Sequence, residues 1–154
     1  MPNTQNYWVI VGSPDNLAKT RELGFTVQGI KSRHRKKAEQ MWPGDKFNYY
    51  VTGEKAFAGI VTVESPYREE HDVIWASGDP QKAAEDYPYR VDISADVVLK
   101  EGTYVDAEPI ARQMEYAKKW PAKNWTLAFQ GNVHLIPESD YQLIREAIES
   151  AAGK

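Results

Sequence analysis

Cysteine is absent from this 154-residue chain. Neither a disulfide framework nor a thiolate metal site is therefore available, and a reducing compartment is the natural home. Histidine is scarce: His34, His71 and His134 are far apart and match no metal-ligand spacing. The apolar run Tyr7 to Val11 near the start is too short for a membrane span or a signal peptide. There is no phosphate-cradling P-loop and no dinucleotide glycine fingerprint, and Gly12-Ser13-Pro14 lacks the glycine pattern of a nucleophile elbow. Bulk positive charge is missing too, since the net charge is -3, which argues against a protein that coats DNA or RNA by charge alone. These absences lead to the expectation of one cytoplasmic domain over residues 1–154, with no metal, no cofactor, no membrane partner and no catalytic residues.

What is present is ordinary globular composition with one local anomaly. Apolar residues make up 42% and charged residues 27%, enough apolar surface for a core in a chain of this length. The anomaly is Lys31, Arg33, Arg35, Lys36 and Lys37 with His34, a cationic stretch in an otherwise acidic chain. Charge on a helix face is usually just solvated. Like charges this dense repel by roughly 0.2–0.5 kcal/mol per pair, a cost that a phosphate partner relieves.

The hydrophobic pattern predicts mixed elements. Asn6 to Val11 reads as a buried strand, and Ser13-Pro14 as the cap and first position of a helix that stops at Gly24. Phe25 to Ile30 is extended, Ser32 to Met41 a second helix, and Lys46 to Thr52 with Ala56 to Ser65 a hairpin about Gly53-Glu54-Lys55. Pro66 to Pro88, broken by Gly78 and Pro80, is a long polar excursion with at most one short helix. Tyr89 to Leu99 alternates as a half-buried strand. Glu108 to Lys118 and Glu138 to Ala151 read as helices around a last strand, Val133 to Ile136, and Leu143, Ile144, Ala147, Ile148 and Ala151 form one apolar face. Without regular βαβ alternation, the expected class is α+β with a curled, barrel-like sheet.

The chemically suggestive residues are aromatic. Five Trp and nine Tyr are present, and Trp75 stands in the polar excursion, where no periodicity calls for a large ring. It either packs the excursion onto the barrel or stacks on a ligand. Trp8, Trp42, Trp120 and Trp125 are assigned to structure. Tyr49 and Tyr50 are consecutive in a strand, so their rings point to opposite faces, and one of them is expected to face a cleft or solvent. Glu69-Glu70-His71-Asp72 reads as a solvated turn.

The ordered set Tyr7-Trp8-Val9-Ile10, Ser13-Pro14-Asp15-Asn16, Gly24 to Lys31, Pro43-Gly44-Asp45, Tyr49-Tyr50, Ala56-Phe57-Ala58-Gly59, Tyr87 to Val91, Phe129 to His134, Ile136-Pro137 and Asp140-Tyr141 resembles the EVE domain along nearly the whole chain. The resemblance implies a PUA-like small mixed β-barrel flanked by helices, related to the YTH domains that read N6-methyladenine in RNA. It also implies a binding protein for a modified, flipped-out base of DNA or RNA, acting as a monomer with a separate effector protein.

By the same resemblance, Ser13 and Asn16 would lie beside the base, and Gln28, Gly29 and Ile30 would line the pocket, with Gly29 allowing close approach of main chain. In YTH domains that segment supplies an aromatic wall; here it is Gly-Ile. Trp75, Tyr50 and Thr52 would complete the wall, Arg90 and Gln130 would stand at the rim, and Lys31, Arg33, Arg35 and Lys36 would hold phosphates. Two other classes of function remain open. An enzyme acting on a nucleotide or RNA would need a paired titratable group in the pocket, and Asp15, Asp72 and His71 are not visibly paired. A protein-interaction module would show an exposed apolar patch.

Overall fold

The apolar run at the start forms strand β1 (Tyr7–Gly12), whose residues 8 to 11 are all buried. A strand without alternation needs cover on both faces, and β1 has it: Val9 and Val11 join one core, Trp8 and Ile10 another. A computed structural model describes residues 5–77 and 79–153. Residues 1–4, the breaker Gly78 and residue 154 lie outside the described residues.

Helix α1 (Pro14–Glu22) follows, capped by Ser13 Oγ, which accepts from the Asn16 amide at 3.1 Å. It ends as its sequence predicts. Gly24 takes φ +73°, and the Gly24 and Phe25 amides return to the Arg21 and Thr20 carbonyls, a Schellman closure. Strand β2 (Val27–Ile30) comes next. The predicted helix over 32–41 is shorter than expected, a 3-10 turn at Ser32–His34 and then α2 (Arg35–Glu39). Strands β3 (Lys46–Val51) and β4 (Ala56–Val63) form the expected hairpin.

The excursion carries the two-residue strand β5 (Arg68–Glu69) and a 3-10 turn at Pro80–Lys82 before β6 (Tyr89–Val98). Short β7 (Val105–Asp106), helix α3 (Glu108–Ala111), strand β8 (Val133–Ile136) and helix α4 (Glu138–Ala152) complete the order. The predicted helix 108–118 stops at Ala111 for a tertiary reason. Asp140, buried at the start of α4, accepts from the Glu115 and Tyr116 amides at 2.8 and 2.9 Å, the groups that would otherwise extend the helix.

The strands run in the order β2-β6-β4-β3-β1-β8, with β5 on β6 and β7 on β4. The β1–β3 pair is parallel and the others antiparallel. Register shifts between Tyr49 and Tyr50 against β4, and between Ile60 and Val61 against β6, bend the sheet into a curled half-barrel. The α+β, PUA-like expectation agrees with this architecture.

One core lies under α3, α4 and the turns at Ala117–Lys119 and Ala122–Phe129; the other fills the curl beneath α1 and α2. Tyr49 and Tyr50 do point to opposite faces, but both are buried, because the sheet is covered on each side. Trp42, assigned above to structure, is 48% exposed.

Candidate functional site

The parallel strands β1 and β3 end side by side at Gly12 and Val51, and α1 turns away over them. The space left between is a cavity of about 20 Å³. Its floor is Ile10 to Gly12 and Tyr49 to Val51. Asn16, Leu17 and Thr20 line it from α1, Gln28 from β2 and Asn132 from the turn before β8, while Trp75 and Tyr87 form the wall contributed by the excursion.

The wall is held by side chains that the sequence placed at the site in other roles. Asn16 clasps the main chain of Ala76, accepting from its amide at 3.0 Å and donating to its carbonyl at 2.9 Å, and its amide group also reaches the Tyr87 hydroxyl at 3.3 Å. Trp75 is 1% exposed, and its indole N–H donates to Thr20 Oγ1 at 2.9 Å. Arg90, predicted at the rim, is instead buried behind the wall. Its guanidinium lies 5.3 Å from the Trp75 ring centre and donates to the Tyr87, Asp86 and Asp72 carbonyls and to the Asp72 carboxylate. One buried arginine thus ties both ends of the excursion, residues 72 and 86–87, and its charge is compensated by a carboxylate as burial requires. Tyr87 has φ 51°, a backbone conformation that a bulky residue keeps only where its surroundings hold it there.

The remaining candidates divide. Gln28 lines the cavity with its amide engaged on both sides: the oxygen accepts from Tyr49 OH at 2.7 Å and the nitrogen donates to the Gly29 carbonyl at 2.9 Å. Burial drives the Tyr49 hydroxyl pKa far up, so it remains a neutral donor. Ile30 is fully buried in the core inside the curl and does not line the cavity. Ser13 is occupied as the α1 cap. Thr52 and Gln130 fall in a separate shallow groove with Lys55, Thr126 and Gly131, and Tyr50, stacked on Phe129 at 4.6 Å, separates that groove from the cavity. Asn132, Thr20, Leu17 and Tyr87 line the cavity without having been singled out as site residues from sequence, and Tyr49, one of the tyrosine pair noted there, lines it too. Thr20 was within reach, being one helical turn from Asn16 on the same face.

The basic segment also splits. The Lys31 ammonium lies 5.8 Å from the Tyr87 ring centre, its pKa lowered by burial and by Arg33 and Lys82. The Arg33 guanidinium approaches Gly131, and Lys37 donates to the Val133 carbonyl at 3.0 Å. His34 is held neutral, its pKa lowered to about 4 by partial burial first and by Lys37 and Arg33 next. Arg35 turns the other way, over Tyr89 and paired with Glu39 at 3.4 Å, and Lys36 is exposed. Lys31 therefore stands beside the cavity wall, Arg33 reaches the Gly131 turn at the neighbouring groove and donates to His34 Nε2 at 3.3 Å, and Arg35 points elsewhere.

No group of three or more His, Asp or Glu among the described residues is arranged to hold a metal ion. His71 is instead bracketed by Asp86 at 2.7 Å and Glu69 at 2.8 Å on the exposed side of the excursion, and these carboxylates raise its pKa. Among the described residues no helix is long and apolar enough to cross a membrane.

The architecture is that of the YTH class of PUA-like domains. The Mmi1 YTH domain superposes with a TM-score of 0.70 over 100% of this chain and 94% of that one, at 10% identity. The YTH domain of Zygosaccharomyces rouxii MRB1, solved in complex with N6-methyladenosine RNA, gives 0.65 over 96% and 87%, at 18% identity. At such identities the likeness is one of fold. The EVE domain family model matches residues 6–147, and the chain belongs to that family. The UPF0310 protein PH1033 of Pyrococcus horikoshii is 27% identical over 154 residues, covering 92% of this chain and 98% of that protein.

Proposed function

We propose that this chain is a nucleic-acid reader that takes one base, flipped out of its strand and chemically modified, into the cavity between α1, the β1–β3 strand ends and the excursion. The observation that carries the reading is the juxtaposition of an aromatic wall, Trp75 and Tyr87, with the Lys31 ammonium 5.8 Å from the Tyr87 ring centre. Aromatic faces suit a base, and an adjacent cation suits the phosphates beside it. YTH domains of the same fold are solved with RNA, one of them with N6-methyladenosine RNA, which supports the class of ligand.

A cavity of about 20 Å³ holds roughly one water. A base therefore enters only by displacing the wall, and the wall belongs to one segment fastened by Asn16, Thr20 and Arg90. Its release and re-closure over the ligand is the conformational step, and the chain does no covalent chemistry in this reading. The polymer is DNA or RNA, and a separate effector acts on what a monomeric reader marks.

The test is a titration of single-stranded DNA and RNA oligonucleotides of one sequence, each carrying one modified cytosine or adenine, followed by tryptophan fluorescence and anisotropy. One modified base should bind several-fold to a hundredfold more tightly than its parent, since an added methyl in an apolar pocket contributes about 1–3 kcal/mol. Equal affinity across all modifications and their parents overturns the reader reading.

A further inference from the structure

Among the described residues the side-chain oxygens of Asn16, Thr20, Gln28 and Asn132 each already accept one hydrogen bond, whereas the amide nitrogens of Asn132 and Gln28 keep N–H groups to donate. Asn132 is 2% exposed and lines the cavity, and its side-chain oxygen accepts from the Lys31 amide at 2.9 Å. A backbone N–H requires an acceptor, so this bond fixes which end of the Asn132 amide is which. The other end is necessarily NH₂, and it has no partner among the described residues.

Gln28 is fixed in the same way. Its oxygen is taken by Tyr49 OH and its nitrogen has donated one hydrogen to Gly29, which leaves one N–H. The other amide oxygen and the aliphatic hydroxyl on the wall are already accepting: Asn16 Oδ1 from Ala76, and Thr20 Oγ1 from Trp75. The Tyr50 and Tyr87 hydroxyls can serve either way.

We infer, building on the reader reading, that the cavity selects a base presenting two neighbouring acceptors, with the Asn132 side-chain amide nitrogen as the principal reader and Gln28 as its second. Guanine (O6 and N7) and cytosine (O2 and N3) carry such an edge, whereas adenine sets an amino donor beside each ring nitrogen of its pairing and major-groove edges. An adenine in this cavity would bring an N–H against N–H donors, and a buried donor without an acceptor is costly. The modification itself would be read by fit against Trp75 and Tyr87, the base by these amides. Asn132 also joins the two parts of the site, because the residue whose amide it holds, Lys31, is the cation at the cavity edge.

The experiment compares oligonucleotides of one sequence with a single cytosine, guanine or adenine, plain or methylated, at the central position, against the wild-type chain and Asn132→Asp. Aspartate still accepts from the Lys31 amide but replaces the donor with an acceptor. Because the added charge weakens every oligonucleotide alike, the readout is the ratio of affinities. The wild type should favour cytosine or guanine over adenine by about tenfold or more, the range of a good bidentate contact, and Asn132→Asp should erase that ratio. The Asn132 side-chain NH₂ resonances of the wild type should also shift on titration, a readout that does not depend on the variant folding. An adenine preference in the wild type, an unchanged ratio in Asn132→Asp, or static Asn132 resonances on ligand saturation overturns the inference while leaving the reader intact. Failure of every oligonucleotide to bind overturns both.

Discussion

The edge of the Trp75 indole lies directly on the α-carbon of Gly29: a β-carbon built there would stand 2.6 and 2.8 Å from ring carbons Cζ3 and Cε3, and 2.8 Å from the Tyr87 carbonyl oxygen. The excursion wall and strand β2 are thus in contact through the one residue that has no side chain, and Gly29 is needed for this close approach. Its backbone is ordinary strand and does not itself demand glycine.

Gly29→Ala should therefore displace the wall without unfolding the domain. Overpacking of this kind costs about 1–3 kcal/mol, and the methyl meets backbone as well as a ring, so simple rotation of Trp75 does not relieve it. The expected result is a lower unfolding midpoint with an altered Trp75 emission. An unchanged midpoint and spectrum would show that the wall is not seated on β2.

Trp75→Ala should weaken both folding and binding. The ring is buried and hydrogen-bonded to Thr20, so its loss should cost about 3–5 kcal/mol of stability, or roughly 6–20 °C in midpoint for a chain of this size. Trp75→Phe keeps an aromatic face and loses the donor, and should cost about 1 kcal/mol for the bond, plus the smaller ring's packing loss. Affinity measured on the folded fraction of both variants separates wall from ligand contact: affinity largely kept by Trp75→Phe and lost by Trp75→Ala marks direct stacking.

Neutralising Lys31 and Arg33 together should lower affinity for every oligonucleotide and reduce the slope of log affinity against log salt by about 1.4–1.8. Arg35→Gln should change the slope less, because Arg35 lies over Tyr89 and is paired with Glu39. Equal slope changes from all three positions would mean that the whole segment, not its end nearest the cavity, holds the strand.

The His34 pKa is depressed to about 4 in the fold, from an ordinary 6.5. Between those values the unfolded chain binds the proton and the folded chain resists it, so stability present above pH 6.5 is lost as pH falls toward 4. His134, depressed mainly by burial, contributes with the same sign, and His71, raised by Asp86 and Glu69, with the opposite one. Denaturant midpoints across pH 4–7 should fall less steeply toward acid in His34→Gln than in the wild type. Parallel curves would show that His34 is not protected from protonation.

Local signals in the sequence determined strands β1 to β4, β6 and β8, the α1 caps, the β3–β4 hairpin, the apolar face of α4 and the α+β class, but not the two-residue strands β5 and β7. A Ser-Pro start, a glycine stop and a hydrophobic period act over a few residues and survive without tertiary help. The basic segment and the oddity of Trp75 were also legible there. Only the tertiary structure decided what these residues touch. The helix after Ala107 ends early because Asp140, far along the chain, captures its amides. Tyr49 and Tyr50 are both buried because helices cover both faces of the sheet. Arg90 fastens the excursion from behind, Ile30 faces the core, Thr52 and Gln130 share another groove, and Asn132 closes the cavity beside Lys31. Hydrogen-bond partners separated by tens of residues depend on how the sheet curls, and that curl follows from bulges and packing that no short stretch of sequence encodes.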